Sequence, residues 1–215
     1  MIIKLSLPEQ SVFYGKIYVL VSGEEQKEPG NMHKYKYEEK TLKTEEIFNG
    51  KILHVQVLEV ELPDGKTSKR EVIKHPGAVC VLAVTNEHKV VMVEQYRKAA
   101  ERALIEIPAG KLEPGEDPLE AAKRELEEET GYACAKLEPV TAFYTSPGFA
   151  DEYIHLYAGT GLEKLSNPKA GDDDEFVDIL ELGMDEVREM IRSGKICDAK
   201  TLVALQHWML EEARK

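Results

Sequence analysis

Three glutamates, Glu125, Glu128 and Glu129, stand at the i, i+3, i+4 spacing that brings helical side chains together on one face. Like charges so placed destabilise a helix by roughly 0.2–0.5 kcal/mol per pair, so the cluster is stabilised by a cation over it. Arg124 is one candidate and a divalent metal ion another. Carboxylate oxygens are hard ligands that suit Mg²⁺ or Mn²⁺, and the helix offers no histidine or cysteine before Cys134, which makes zinc the poorer match. Mg²⁺ keeps several waters and binds through a few carboxylates together with phosphate oxygens of a substrate. The implied substrate is therefore a phosphate, and the implied chemistry is hydrolysis of a phosphoanhydride.

The glutamates need a helix with fixed ends, and the sequence marks both. Asp117 can cap, Pro118 suits the first turn, Glu120 completes a capping-box-like pair, and Gly131 stops the helix. Leu119, Ala122 and Leu126 form its expected buried stripe. Upstream, alternation from Ile52 to Glu59, a Pro63-Asp64-Gly65 turn and the run Lys69 to Ile73 predict a hairpin. Near-continuous apolar runs at Ala78 to Val84 and Val90 to Glu94 predict strands covered on both faces. Further strands are expected at Ala103 to Ile107, Val140 to Tyr144, Tyr153 to Ala158 and Phe176 to Leu182. Helices are expected over Met184 to Ser193 and Asp198 to Ala213, with Gly194 between them.

The chain has 215 residues, 42% hydrophobic and 32% charged, enough for one full core and a small appended element. A net charge of -12 with no basic block argues against nucleic acid or anionic lipid as a partner. Cys80, Cys134 and Cys197 are odd in number and far apart, so neither a disulfide framework nor a zinc site is indicated and a reducing cytoplasm fits best. No stretch approaches membrane-spanning length. Composition turns polar over Glu24 to Tyr37, which reads as a linker. Residues 1–31 read as an upstream extension, and Met32 could itself serve as a start.

The wider spacing is more specific than the helix alone. Gly110, Glu116, Arg124, Glu125, Leu126, Glu128, Glu129 and Gly131 match the Nudix box at every charged and glycine position. At about 5–7% per residue type, the glycines and charged residues would coincide on the order of once in 10⁸ trials. The one departure is Tyr132, where the box prefers an aliphatic residue at a position that packs. The chain thus resembles Nudix hydrolases, which implies an α/β/α sandwich with a mixed sheet plus a small N-terminal β element. Residues 1–40 are then extension and linker, 41–76 a β hairpin serving dimerisation, and 77–215 the Nudix domain, with its box at 110–132.

The resemblance also implies roles. Glu125, Glu128, Glu129 and the Ala109 carbonyl would hold Mg²⁺ or Mn²⁺, Arg124 would orient the carboxylates, and Glu116 would contact metal or support its loop. The segment Thr145 to Glu152, with Ser146, Pro147 and Glu152, looks like the signature of bacterial ADP-ribose pyrophosphatases. Arg70 and Arg97 resemble positions that hold the diphosphate and adenosine, with Glu106 pairing to an arginine and Phe48 stacking on adenine from a partner subunit. In the acidic loop 172–175, Glu175 is the expected metal ligand and Asp173 the expected general base. The implied protein is a cytoplasmic homodimer converting ADP-ribose to AMP and ribose 5-phosphate. The alternatives are a Nudix hydrolase for NADH, a nucleotide sugar or a dinucleoside polyphosphate, and a non-catalytic module that senses ADP-ribose or NAD.

Overall fold

A strand whose every residue is apolar has to be covered on both faces, and β4 (Ala78–Ala83) shows how. Its odd residues, Val79, Val81 and Ala83, pack against Ala121, Ala122 and Leu126 of α1 (Pro118–Thr130). Its even residues, Ala78, Cys80 and Leu82, pack on the other face with Val187 of α2 (Met184–Arg192) and with Ala204, Leu205 and Trp208 of α3 (Ala199–Glu212). The period of two along one strand thereby generates three layers, helix, sheet and helix. The computed structural model describes residues 35–169 and 176–214. The extension 1–31, the start of the linker, and both Asp173 and Glu175 lie outside the described residues.

The central sheet runs β7 (Ala109–Lys111), β4, β9 (Tyr153–Lys164), β8 (Tyr132–Tyr144). It is mixed: β4 and β9 are parallel, and the other pairs are antiparallel. A second, antiparallel sheet orders β10 (Val177–Leu182), β5 (Val90–Arg97), β6 (Arg102–Glu106). The Tyr132 hydroxyl donates to Glu181 of β10 at 2.5 Å and so ties the two sheets together, while its ring is buried. A packing role suffices for this residue, the one departure from the box pattern.

Two expectations are corrected, and one short strand was not foreseen. The N-terminal element is a three-stranded antiparallel sheet, because β1 (Lys40–Asn49) adds to the expected hairpin of β2 (His54–Glu61) and β3 (Thr67–Lys74). Register shifts at Thr41/Lys43 and Glu46/Phe48 break the alternation by which a strand is recognised in sequence. Strand β8 starts directly after the helix at Tyr132, ahead of the expected Val140, and carries Pro139 at a register shift. As the edge strand of its sheet it can hold a residue with no N–H. Strand β7, only three residues long, has no pattern to read, yet its pairing of Gly110 with Val79 fixes the start of the box.

One end of the core is a charge network. Glu106, 2% exposed, accepts from Nε and Nη2 of Arg97 at 2.8 Å each and also from Lys200. Asp198 caps α3 through the Thr201 N–H at 3.0 Å and takes Lys200 at the same distance. The Thr201 hydroxyl donates to Asp198 and accepts from the Ile107 N–H, which joins β6 to α3. Burial alone would raise the Glu106 carboxyl, but Arg97 and Lys200 outweigh it and hold the group at about 2, against an ordinary value of 4.5. A depressed carboxyl contributes stability that is complete above pH 4.5 and is lost as pH falls toward 2. Glu106→Gln should therefore lower stability at pH 7 by about 3 kcal/mol in urea unfolding, and the gap to wild type should close across that acid window. Equal stability of the two proteins at pH 7 would contradict this.

Candidate active site

The box helix is fixed at both ends by its own sequence. The Asp117 side chain accepts from Leu119 N–H at 2.9 Å and Glu120 N–H at 3.3 Å, and Gly131 closes the helix with a left-handed φ of 68°. The expected reciprocal bond from Glu120 is replaced by an ion pair with Lys123 at 2.7 Å, one turn on. Leu119 and Ala122 lie on the apolar side as expected, and Leu126 is fully buried.

Two of the three clustered glutamates are not a solvated surface. Glu125 is 9% and Glu129 7% exposed. Glu129 accepts from the Ala109 N–H at 2.9 Å, which pins the end of the helix to β7. Glu125 lies against the Gly110 backbone so closely that a Cβ there would stand 1.9 Å from its carboxyl carbon. Only glycine leaves room for that carboxylate. Arg124 holds the cluster together, with Nη1 2.7 Å from Glu125 and 3.0 Å from Glu128, and with Nε and Nη2 each 2.9 Å from Glu116. These partners, Glu116 foremost, raise the Arg124 guanidinium further above its ordinary value and keep it charged. Arg124 in turn lowers the Glu116 carboxyl, which also accepts the Glu113 N–H at 3.0 Å and so closes its own loop.

The donor chemistry suits a hard divalent cation, since every candidate ligand is an oxygen and the Gly110 backbone leaves a cradle that a Cβ would fill. Among the described residues no three acidic, histidine or cysteine side chains already converge as a metal cage. Arg124 is the cation that Glu125 and Glu128 meet in this arrangement.

Glu125, Glu128 and Arg124 form one wall of a cleft of about 690 Å³, continued by the box loop from Gly110 to Pro114. The lining also includes Lys51, Ile52, His54, Lys74, His75 and Pro76, from the N-terminal sheet and its exit. These basic residues gave no chemical signal in the sequence, since a lysine or histidine at a strand end reads as a surface charge. The cleft thus brings carboxylates and lysines together in one lining, an arrangement suited to a polyanion that brings its own counter-cation.

The segment Thr145 to Glu152 packs beside the N-terminal wall. Ile73 donates to the Phe149 carbonyl at 2.7 Å and accepts from Asp151 N–H at 3.2 Å. Ser146 is part-buried and its carbonyl turns the segment by accepting from Phe149 and Ala150, whereas Pro147 is exposed. Glu152 accepts from the Thr145 hydroxyl at 2.5 Å. Glu106 pairs with an arginine as expected, and the arginine is Arg97, but the pair lies in the core network and not among the residues lining the cleft. Arg70 lies on the N-terminal sheet, bonded to Glu39 at 2.8 and 2.5 Å, and Phe48 is 57% exposed on β1; neither lines the cleft within this chain.

Comparison with known proteins agrees with the fold and the box. The NUDIX domain model matches residues 74–202, and the nucleoside diphosphate sugar hydrolase N-terminal domain model matches residues 39–73. The methanol dehydrogenase activator of Bacillus methanolicus is 58% identical over 83% of this chain and 97% of its own. The ADP-ribose pyrophosphatase of Bacillus subtilis (strain 168) is 53% identical over 82% of this chain and 95% of its own. A crystal structure of ADP compounds hydrolase superposes with a TM-score of 0.71 at 19% identity, covering 82% of this chain and 97% of that one, a likeness of fold. With a full box on a capped helix, the expected three-layer fold and a family match over residues 74–202, this chain belongs to the Nudix hydrolases.

Proposed function

We propose that this Nudix hydrolase cleaves the diphosphate of ADP-ribose, adding water across the anhydride to give AMP and ribose 5-phosphate. The observation that carries the reading is the cleft itself, whose lining includes Glu125 and Glu128 together with Lys51, Lys74 and His54 around a space sized for a nucleotide. Substrate identity is supported by the Thr145–Glu152 segment beside that cleft and by the Bacillus subtilis relative named for ADP-ribose. A divalent ion, Mg²⁺ or Mn²⁺, held by Glu125, Glu128, Glu129, the Ala109 carbonyl and Glu175, would supply charge screening and stabilise the leaving phosphate. Lys51 and Lys74 of the cleft lining neutralise part of the diphosphate charge, and Arg124 orients the carboxylates. Asp173 takes the proton of the attacking water in this reading.

A nucleotide sugar is the second reading, favoured by the match of residues 39–73 to the N-terminal domain of nucleoside diphosphate sugar hydrolases. The name of the Bacillus methanolicus relative concerns another enzyme and specifies no substrate, so it does not divide these readings. Presented with ADP-ribose, NADH, a nucleotide sugar and a diadenosine polyphosphate, the protein should release AMP fastest from ADP-ribose. The reaction should stop on chelation, and Glu129→Gln should slow it about 100-fold or more. Faster turnover of another substrate would keep the hydrolase and reject ADP-ribose; binding without turnover of any would favour a sensing module.

The N-terminal sheet supports a homodimer. All ten residues of β1 are exposed, among them Leu42, Ile47 and Phe48, an apolar set that a second copy would cover. Light scattering should give twice the 24.2 kDa chain mass, whereas an active monomer at micromolar concentration would reject this assembly.

A further inference from the structure

Between β6 and β7 the chain leaves one sheet for the other, and Ile107 and Pro108 make the crossing. Pro108 has no N–H to give, and its carbonyl accepts from the Val81 N–H at 2.9 Å. Ile107 is fully buried and gives its N–H to a side chain 94 residues on, the Thr201 hydroxyl, at 3.0 Å. Farther along the same edge the Leu112 N–H donates to the Gly77 carbonyl at 3.1 Å. Ladder bonds in an antiparallel pair fall on alternate residues, so these two bonds leave Ala109 opposite Cys80 at a position without them. Both backbone groups of Ala109 therefore turn away from β4. Its N–H meets Glu129, and its carbonyl points to the same side.

The Thr201 hydroxyl has a fixed direction. Thr201 is fully buried, and both of its donors, the N–H at 3.0 Å and the hydroxyl at 2.8 Å, go to the same Asp198 oxygen. With the hydroxyl proton committed to that carboxylate, a lone pair is left for Ile107. The preceding residue, Lys200, bonds Glu106 and Asp198, so consecutive residues in the first turn of α3 hold consecutive residues at the end of β6. Packing alone does not require this hydroxyl, since a valine has the same shape. A valine would leave the Ile107 N–H buried without an acceptor, and turning that peptide to find another would swing the Ala109 carbonyl two residues on.

We propose that Thr201 is a positioning residue for the box cation: by holding the Ile107 N–H it sets the direction of the Ala109 carbonyl. This deepens the reading of the box as a site for Mg²⁺ or Mn²⁺ and rests on it. The probe is Mn²⁺ alone, with the free ion counted by electron paramagnetic resonance in the absence of substrate, and urea unfolding is followed on the same samples. Thr201→Val should weaken Mn²⁺ binding about tenfold. Thr201→Ser, which keeps the hydroxyl and loses the methyl group, should restore most of that affinity even where unfolding shows it to be less stable than wild type. A purely structural threonine would move the unfolding midpoint and leave the affinity of the folded protein unchanged. Asp198→Asn keeps an oxygen for the cap and removes the charge that orients the hydroxyl, so it should weaken Mn²⁺ binding in the same direction and serves if Thr201→Val does not fold. Wild-type affinity in folded Thr201→Val, or in Asp198→Asn where the valine variant does not fold, overturns the proposal, as does a serine variant no better than the valine. The box reading is decided separately: a wild type that binds no Mn²⁺, or a Glu129→Gln variant that binds it as tightly, rejects the box as a cation site whatever the Thr201 variants do.

Discussion

Glu125 and Glu129 are buried carboxylates on one helix face, and an uncompensated buried charge costs several kcal/mol. Much of the surrounding structure reduces that cost. The Ala109 N–H solvates Glu129, the bare backbone of Gly110 admits the carboxylate of Glu125, and Arg124 reaches across Glu125, Glu128 and Glu116. Strand β7 exists to present Ala109 and Gly110 at that spot, and it stays there by pairing with the fully buried β4. The sheet therefore positions the site through one short strand, and α1 positions it through two capped ends.

The same constraint explains why the cleft lining needs cations besides its carboxylates. An acidic face attracts metal and repels a bare diphosphate, so substrate needs cations elsewhere. In the proposed reading these are Lys51 and Lys74, from the part of the cleft wall built by the N-terminal sheet and its loops, which is not needed to build the α/β/α core. The bonds from Ile73, Lys74 and His75 to the segment around Asp151 keep this wall in a fixed relation to the core sheet. Core chemistry and substrate grip thus come from different elements, joined at one seam.

The box was legible because its chemistry constrains residue types at fixed spacing, and the helix was legible because Asp117, Pro118 and Gly131 punctuate it. The doubly covered strands β4 and β5 were legible from unbroken apolar runs. What escaped had no pattern to show. Strand β1 is broken by two register shifts, β7 is three residues long, and β8 runs through Pro139 as an edge strand. Glu106 was expected to pair with an arginine, yet no local rule reveals that Lys200 and Asp198, almost a hundred residues on, would join it and Arg97 into a core network. The cationic wall was invisible for the same reason: it is assembled from the ends of strands that meet only in the fold.

In the proposed function the box carboxylates form a site for a hard cation, which takes over from Arg124 as their counter-charge. A crystal structure with Mn²⁺, read by anomalous scattering, tests it most directly. An anomalous peak is expected between Glu125, Glu128, Glu129 and the Ala109 carbonyl, with Arg124 drawn back from Glu125 or Glu128. A peak elsewhere in the molecule, or none at a concentration that supports full activity, would contradict it.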